Sequence, residues 1–595
     1  MAKERKQKPA VRNIEENKYY VFGILGIFLI LVFLASSYKV SGDDDFFWHL
    51  ATGRFVVENK YVPDKDVFGY VTQNDEWIPF EWGWDVLSYG VYNLGGYNAI
   101  LIFRSIIFCL IFLIYYLLLR KFNIHTIISI LVLFTLLVAV IDRLSPRPHI
   151  ITYLFFVIIL YIILSFKYID REKYLNKLYF LPLIFLIWGN IHLGVLAGGL
   201  FLFIFTITET VIYFYRSKFR NNEPQPLSKE QYIRLLLISA ACALLLLVNP
   251  HGFQTYIYAY GHTKMKLLET INEWQAPFAS KVDFGFVVTL YKLYFFAGLL
   301  ALFYAFVKKD LFFALVYIGF AIYSVRAIRL TVDYEIILTF FIAYSLNHFI
   351  VNRPRKSISF NKIINGNALK IILSAFFIYI ISQIPSNKIY DTLQYYRVFG
   401  WGINDEFITM QLYDFMKQND IKGRPYNHFG TGGGLVWFFP DQKNFIDSRN
   451  LNDRIYNEYN NILTMKPGFE KKLDDFGVDY VIYLDPDLIR RPMDLKRIVT
   501  AYFFNNPDWK LVFWDDKSFL FLKNVPKFAE IINKNEYKVF NPYVALFTTK
   551  EFEANIRNNP ETAKNEIKRK GDQEPNGILY RKMNDIATNV LKKIQ

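Results

Sequence analysis

The chain has 595 residues, of which 53% are hydrophobic and 18% aromatic, and its formal charge is +15. That apolar load excludes an ordinary soluble chain, and the excess Lys and Arg flank apolar runs instead of forming a nucleic-acid surface, so no nucleic-acid partner is expected. Cys109 and Cys242 both fall inside apolar runs, which excludes a disulfide framework and a cysteine metal site.

In chain order, a basic N-terminus over residues 1–18 with Lys3, Arg5, Lys6, Lys8 and Arg12 precedes the first apolar run, Tyr20 to Ser37. The run ends in Ser41-Gly42-Asp43 with no small-residue cleavage pattern, so it reads as a retained helix. Ten further runs nearly free of charge follow, the last being Ala368 to Ile384 and the shortest Leu178 to Trp188 and Leu235 to Val248. A span takes about 20 apolar residues, and shorter runs suffice where a neighbouring helix covers the end, so about 11 spans are expected.

The positive-inside rule places the N-terminus in the cytoplasm. Alternating from there, the basic loops Arg120-Lys121, Lys167 to Lys177, Arg216 to Arg234, Lys308-Lys309 and Arg353 to Lys362 all fall inside. The outer segments are then 39–98, 142–149, 189–193, 249–285, the turn at Arg326 to Arg329, and everything beyond about Gln383. The expected fold class is mainly α: a polytopic membrane domain over 19–384, an extracytoplasmic α/β domain over 385–548, and a helical hairpin over 549–595. In the outer domain, Glu406 to Lys417 and Lys466 to Phe476 have helical spacing. Gly434 to Phe439, Asn444 to Ile446 and Tyr480 to Leu484 read as strands, and Lys510 to Lys523 as a hairpin turning at Asp515-Asp516-Lys517. The glycine run Gly430 to Gly434 lacks a following Lys-Ser or Lys-Thr and reads as a turn, while Asp447 and Arg449 read as an internal ion pair.

Every strongly polar cluster falls on the outer side. In Asp43-Asp44-Asp45-Phe46-Phe47-Trp48-His49 a helix capped by Asp45 brings His49 to the same face one turn later, with Asp44 pointing elsewhere. Such a carboxylate and imidazole suit a divalent cation (Mg or Mn) held by Asp43 and Asp45, or a carboxylate base with a histidine steadying phosphate; an acidic run also simply caps a surface helix. Arg143, Arg147, Arg326 and Arg329 are candidate phosphate clamps, because guanidinium pairs two phosphate oxygens at once, and His149 accompanies them. For Arg326 and Arg329 the competing use is snorkelling to the outer interface. Trp48, Glu81, Trp82, Asn190, His192, His251, Glu273 and Trp274 are candidate substrate contacts, against belt anchoring for the tryptophans and helix packing for Asn190 and His192.

Taken together, Asp43 to Arg54, Val62-Pro63 through Asp66, Phe68 and Tyr70, Glu81-Trp82, Arg147-Pro148-His149, Trp188-x-Asn190-x-His192, Asn249-Pro250-x-Gly252 and Glu273-Trp274 resemble bacterial GT-C-type polytopic glycosyltransferases. Phe445-Ile446-Asp447-x-Arg449 resembles the appendage that accompanies this branch. The resemblance implies transfer, oligosaccharyl transfer included, from a polyprenyl-phosphate or pyrophosphate sugar, with Asp45 or Asp43 as the acidic residue of the first outer loop and His49 beside it. It implies a multi-pass protein of the bacterial cytoplasmic membrane whose partners are the lipid-linked donor, membrane lipid, and a protein or glycolipid acceptor. A lipid-linked-sugar flippase, or a non-catalytic subunit of an envelope complex, is the competing expectation; polar groups gathered at one face disfavour the flippase.

Overall fold

The computed structural model describes residues 16–215, 225–279, 285–351, 366–449 and 451–594. The basic residues Lys3 to Arg12 and the loop Arg353 to Lys362, on which orientation partly rests, lie outside the described residues, as do residues 216–224 of the third basic loop. The chain divides into two compact units, one of Met1–Val40, Val91–Ala259 and Leu268–Gly402, the other of Ser41–Gly90, Tyr260–Leu267 and Ile403–Gln595.

The first unit is helical. Among the described residues, five helices are long and apolar enough to cross a membrane: Lys18–Ser36, Trp82–Lys121, His149–Ile169, Val195–Phe214 and Gly285–Lys308. Three apolar helices, Thr126–Ala139, Leu311–Ser324 and Asn367–Gln383, are shorter. All eleven apolar runs lie in helices, but among the described residues only five of these helices combine the length and the apolarity of a span, and the nine residues of Leu181–Gly189 rise only about 14 Å at 1.5 Å each. Helix starts follow local chemistry, with Asn17 accepting from Tyr19 and Tyr20 N–H, Asp310 accepting from Phe312 and Phe313 N–H, and a Ser228–Gln231 capping box. Trp82–Lys121 breaks at Gly95 and Gly96, where Gly96 sits at φ +63°, a conformation costly for any side chain with a Cβ. At ends assigned to the cytoplasm, Lys167 pairs with buried Glu209, Arg171 lies 3.4 Å from the same carboxylate, and Tyr168 donates to Asp310 at 2.9 Å. Polar chemistry is therefore not confined to the outer ends, although the Glu209 carboxylate is paired with both cations.

The second unit holds a four-stranded sheet. Pro425–Asn427 runs parallel to Tyr480–Leu484, which pairs antiparallel with Ser518–Lys523, and that strand with Trp509–Trp514. The expected hairpin and the central strand Tyr480–Leu484 are present, and its helices include Met410–Gln418 and Phe469–Asp475. Two expected strands are not. Gly432–Phe438 is a helix, and of Asn444 to Ile446 only Asn444 pairs, through a single bridge to Gly69. Residues beyond Thr549 form three helices, Thr549–Asn558, Pro560–Gln573 and Ile578–Lys592, in place of one hairpin. The last of these is capped from the β-turn, Asp516 accepting from Ile578 and Leu579 N–H, while Lys570 donates to the Trp514 carbonyl at 2.5 Å. Phe540, Phe552, Ala563, Met583 and Trp514 belong to one buried core, so these helices complete the domain.

Candidate functional site

Three consecutive aspartates have three different surroundings, all within the second unit. Asp43, not Asp45, caps the helix Asp44–Asn59 by accepting from Phe46 N–H at 3.0 Å. Asp44 is buried: one oxygen accepts from Gly433 N–H, the other from Ser448 N–H at 2.8 Å. Burial, and then the neighbouring Asp447 and Asp45 charges, push its carboxyl up to about 8 against those donors. Asp45 is half-buried, and its Oδ1 accepts from both Trp48 Nε1, at 3.2 Å, and Ser448 Oγ.

The glycine run now has a reason. A Cβ on Gly432 would lie 2.0 Å from the Ile446 carbonyl, and one on Gly433 2.3 Å from the Asp44 carbonyl, so only glycine lets this backbone approach. The short helix that follows is held at its other end by Arg54, which donates to the Val436 and Trp437 carbonyls at 2.8 and 3.1 Å and lies over the Trp437 ring. The Asp44 carboxyl at the Gly433 N–H and a guanidinium at the C-terminal carbonyls thus both satisfy backbone groups that the helix ends leave unpaired.

Beside this contact, Arg449 is an ion-pair hub. It lies 2.6 Å from Asp447 and 2.8 Å from Asp66, and its guanidinium stacks 4.4 Å from the centre of the Trp77 ring. Asn444 donates to Asp447 at 2.7 Å and Thr72 to Asp66, so the buried charges are hydrogen-bonded as well as paired. Burial pushes Asp66 up, but Arg449 together with the hydrogen bonds from Thr72 and Phe68 N–H outweighs it and holds the carboxyl below its ordinary range.

His49 is buried on the helix that carries the aspartates, its Nδ1 2.5 Å from Asp85 Oδ1 and its Nε2 3.9 Å from Glu81. The other Asp85 oxygen is buried and meets no donor among the described residues. A carboxylate behind one ring nitrogen sets which nitrogen carries the proton. Sequence reasoning named His49, Glu81, Trp48 and the neighbouring Trp82 but missed Asp85, whose signal was its i,i+4 spacing from Glu81, and Ser448, which had none.

The helical unit gathers a cationic cluster of its own. Glu273 lies 2.9 Å from Arg143 and 3.6 Å from Arg329, whose guanidinium lies over the Trp274 ring at 4.5 Å. Although burial pushes Glu273 up, Arg143, Arg329 and Arg147 hold it down at about 2. Three guanidiniums thus surround one carboxylate, an arrangement suited to a further anion. His149 Nε2 is 2.8 Å from the Arg143 carbonyl, and Arg397, which the sequence did not single out, donates to the Asp142 carbonyl at 2.9 Å.

Other expected contacts are spoken for or lie apart. His192 Nδ1 sits 2.7 Å from Thr152 Oγ1, and burial, then Arg329, lower its imidazole to about 3, so it is neutral at ordinary pH and supplies no charge to a phosphate. Asn190 donates to the Val248 carbonyl at 2.9 Å, His251 N–H to Asn249, and Arg326 is exposed. Among the described residues no three His, Cys, Asp or Glu side chains gather as metal ligands, and Asp43 and Asp45 are turned to a cap and to Ser448 and Trp48.

No protein-family model and no characterised protein matches the sequence. Several solved structures are similar in fold, two of them oligosaccharyltransferase structures from Archaeoglobus fulgidus. Archaeal oligosaccharyltransferase AglB from Archaeoglobus fulgidus, in complex with an inhibitory peptide and a dolichol-phosphate, matches at 12% identity with a TM-score of 0.53, covering 83% of this chain and 73% of that one. The apo crystal structure of the Archaeoglobus fulgidus oligosaccharyltransferase matches at 13% identity and 0.52, covering 79% and 70%. At such identity the likeness is one of fold alone.

Proposed function

We propose that the chain is a membrane glycosyltransferase that moves a sugar or oligosaccharide from a polyprenyl-(pyro)phosphate donor to a hydroxyl or amide of an exported protein or surface glycolipid, at the outer face of the bacterial cytoplasmic membrane. The observation that carries this reading is the fold, shared over 83% of the chain with an oligosaccharyltransferase bound to a dolichol-phosphate and a peptide. Nucleotide sugars are held in the cytoplasm, so an outward-facing transferase needs a donor carried on lipid.

Asp45 is the group that orients the acceptor and takes up its proton, since its carboxylate is held by two donors on one oxygen. Arg143, Arg147 and Arg329 bind the donor phosphate, exchanging part of their pairing with Glu273 for the phosphate oxygens. Divalent-cation dependence is a separate question, answered by transfer assays in chelator with Mg or Mn added back; no step above is routed through a metal.

The deciding experiment replaces Asp45 by Asn in purified protein supplied with lipid-linked donor. Loss of a general base slows transfer by about a hundredfold or more, and thermal unfolding should stay unchanged. If Asp45→Asn and Asp43→Asn both turn over normally, the acidic run is structural, and the flippase and non-catalytic-subunit readings take over.

A further inference from the structure

We infer that Ser448, in the C-terminal part of the chain, is a positioning residue for Asp45: its hydroxyl donates to Asp45 while its own backbone is pinned by Asp44, Asp447 and Arg449. The inference rests on the proposed role of Asp45.

The same residue reads two consecutive carboxylates, its N–H meeting Asp44 at 2.8 Å and its hydroxyl meeting Asp45 Oδ1. Ser448 is flanked by two members of the buried ion-pair hub. Arg449 N–H donates to Asp447 Oδ1 at 3.0 Å, closing a tight turn around Ser448, and the Arg449 guanidinium then grips both Asp447 oxygens and Asp66. A hydroxyl placed by such a turn has little freedom to follow a moving carboxylate.

Asp45 also receives Trp48 Nε1 on the same oxygen, at 3.2 Å. A single donor leaves a carboxylate free to rotate about its last torsion, whereas two donors from different directions hold that rotation. Trp48 lies on the same helix as Asp45 and moves with it; Ser448 lies 403 positions away and sets the carboxylate against the C-terminal domain. The two sides of that setting differ in kind. The Asp44 anchor is buried and backbone-directed, so it registers the helix; the Ser448 hydroxyl is side-chain-directed and registers the one carboxylate proposed to act. Orientation of a reacting group to within about 1 Å is worth factors on the order of a hundred in rate, so the loss of the Ser448 donor falls on turnover more than on binding.

Ser448→Ala, Ser448→Cys and Ser448→Thr in the full-length protein, assayed with lipid-linked donor beside Asp45→Asn, separate the possibilities. Ser448→Ala should lower kcat about tenfold or more, with KM for donor and acceptor changing less than about twofold. Ser448→Thr restores the hydroxyl and should recover kcat to within about threefold, and Ser448→Cys, a near-isosteric weak donor, should fall between. Should Ser448→Ala fail to fold, the Cys and Thr variants carry the same comparison. Normal kcat in the Ala or Cys variant while Asp45→Asn is inactive overturns the inference and leaves the glycosyltransferase reading standing, as does a change confined to KM. Normal turnover in Asp45→Asn itself would remove the premise, and the inference with it.

Discussion

Asp43, Asp44 and Asp45 differ in what removing each should do. Asp43→Ala deletes one cap hydrogen bond, an expected loss of about 1 kcal/mol with turnover retained. Asp44→Ala leaves the Gly433 and Ser448 N–H groups buried without their carboxylate, at an expected cost of about 1–3 kcal/mol for each. Chemical denaturation in detergent should therefore rank Asp44 as the most destabilising of the three, and equal effects at 43 and 44 would contradict these assignments. The expectation that Asp44 simply points elsewhere misses this because an inward-facing acid is visible only with its partner. His192 adds a pH signature. Its imidazole is held near 3 in the folded chain and titrates at about 6.5 when unfolded, so the unfolded state takes up the extra proton. The resulting stability is complete above pH 6.5 and is lost as pH falls toward 3, so His192→Gln should flatten the melting temperature across that window; an unchanged pH slope would refute it.

The helix Gly432–Phe438 shows how one element is captured by another. Leu435-Val436-Trp437-Phe438-Phe439 has strand composition, and local propensity alone makes it a strand. Its helical state is instead selected by packing onto Asp44–Asn59, with Asp44 at one end and Arg54 at the other. Arg54→Ala removes both carbonyl contacts and the stacking on Trp437, with an expected loss of roughly 1–3 kcal/mol and faster amide exchange confined to residues 432–439. Gly433→Ala should cost more than Arg54→Ala, because the clash is with backbone that cannot swing aside. The converse case is Tyr480–Leu484, whose continuous apolar run matches its buried place between two strands.

At the scale of the whole chain, orientation carries the proposed function. Cysteines placed at exposed Asn74 and Asn524 should react with a membrane-impermeant thiol reagent in intact cells or after permeabilising the outer envelope, and one at exposed Asn176 should not. Labelling at Asn176 without lysis would reverse the orientation and remove the argument for a lipid-carried donor. The buried Lys167–Glu209 pair bears on the flippase alternative, since it shows ionisable groups at the opposite helix ends. Those groups pair with each other, which is the ordinary means of holding charge beside hydrocarbon.

What the sequence by itself determined was carried by short-range physics: apolar runs that are all helical, the hairpin at Asp515 to Lys517, and the Asp447–Arg449 pair. Each depends on periodicity, turn chemistry or neighbours a few positions apart, and so is written locally. Only the tertiary structure decided which aspartate caps, which anchors and which is held by Ser448, that His49 backs onto Asp85, and that a glycine run opens a helix. Those outcomes depend on partners up to 404 positions distant, where the free energy comes from pairing a buried donor with an acceptor that no local pattern announces.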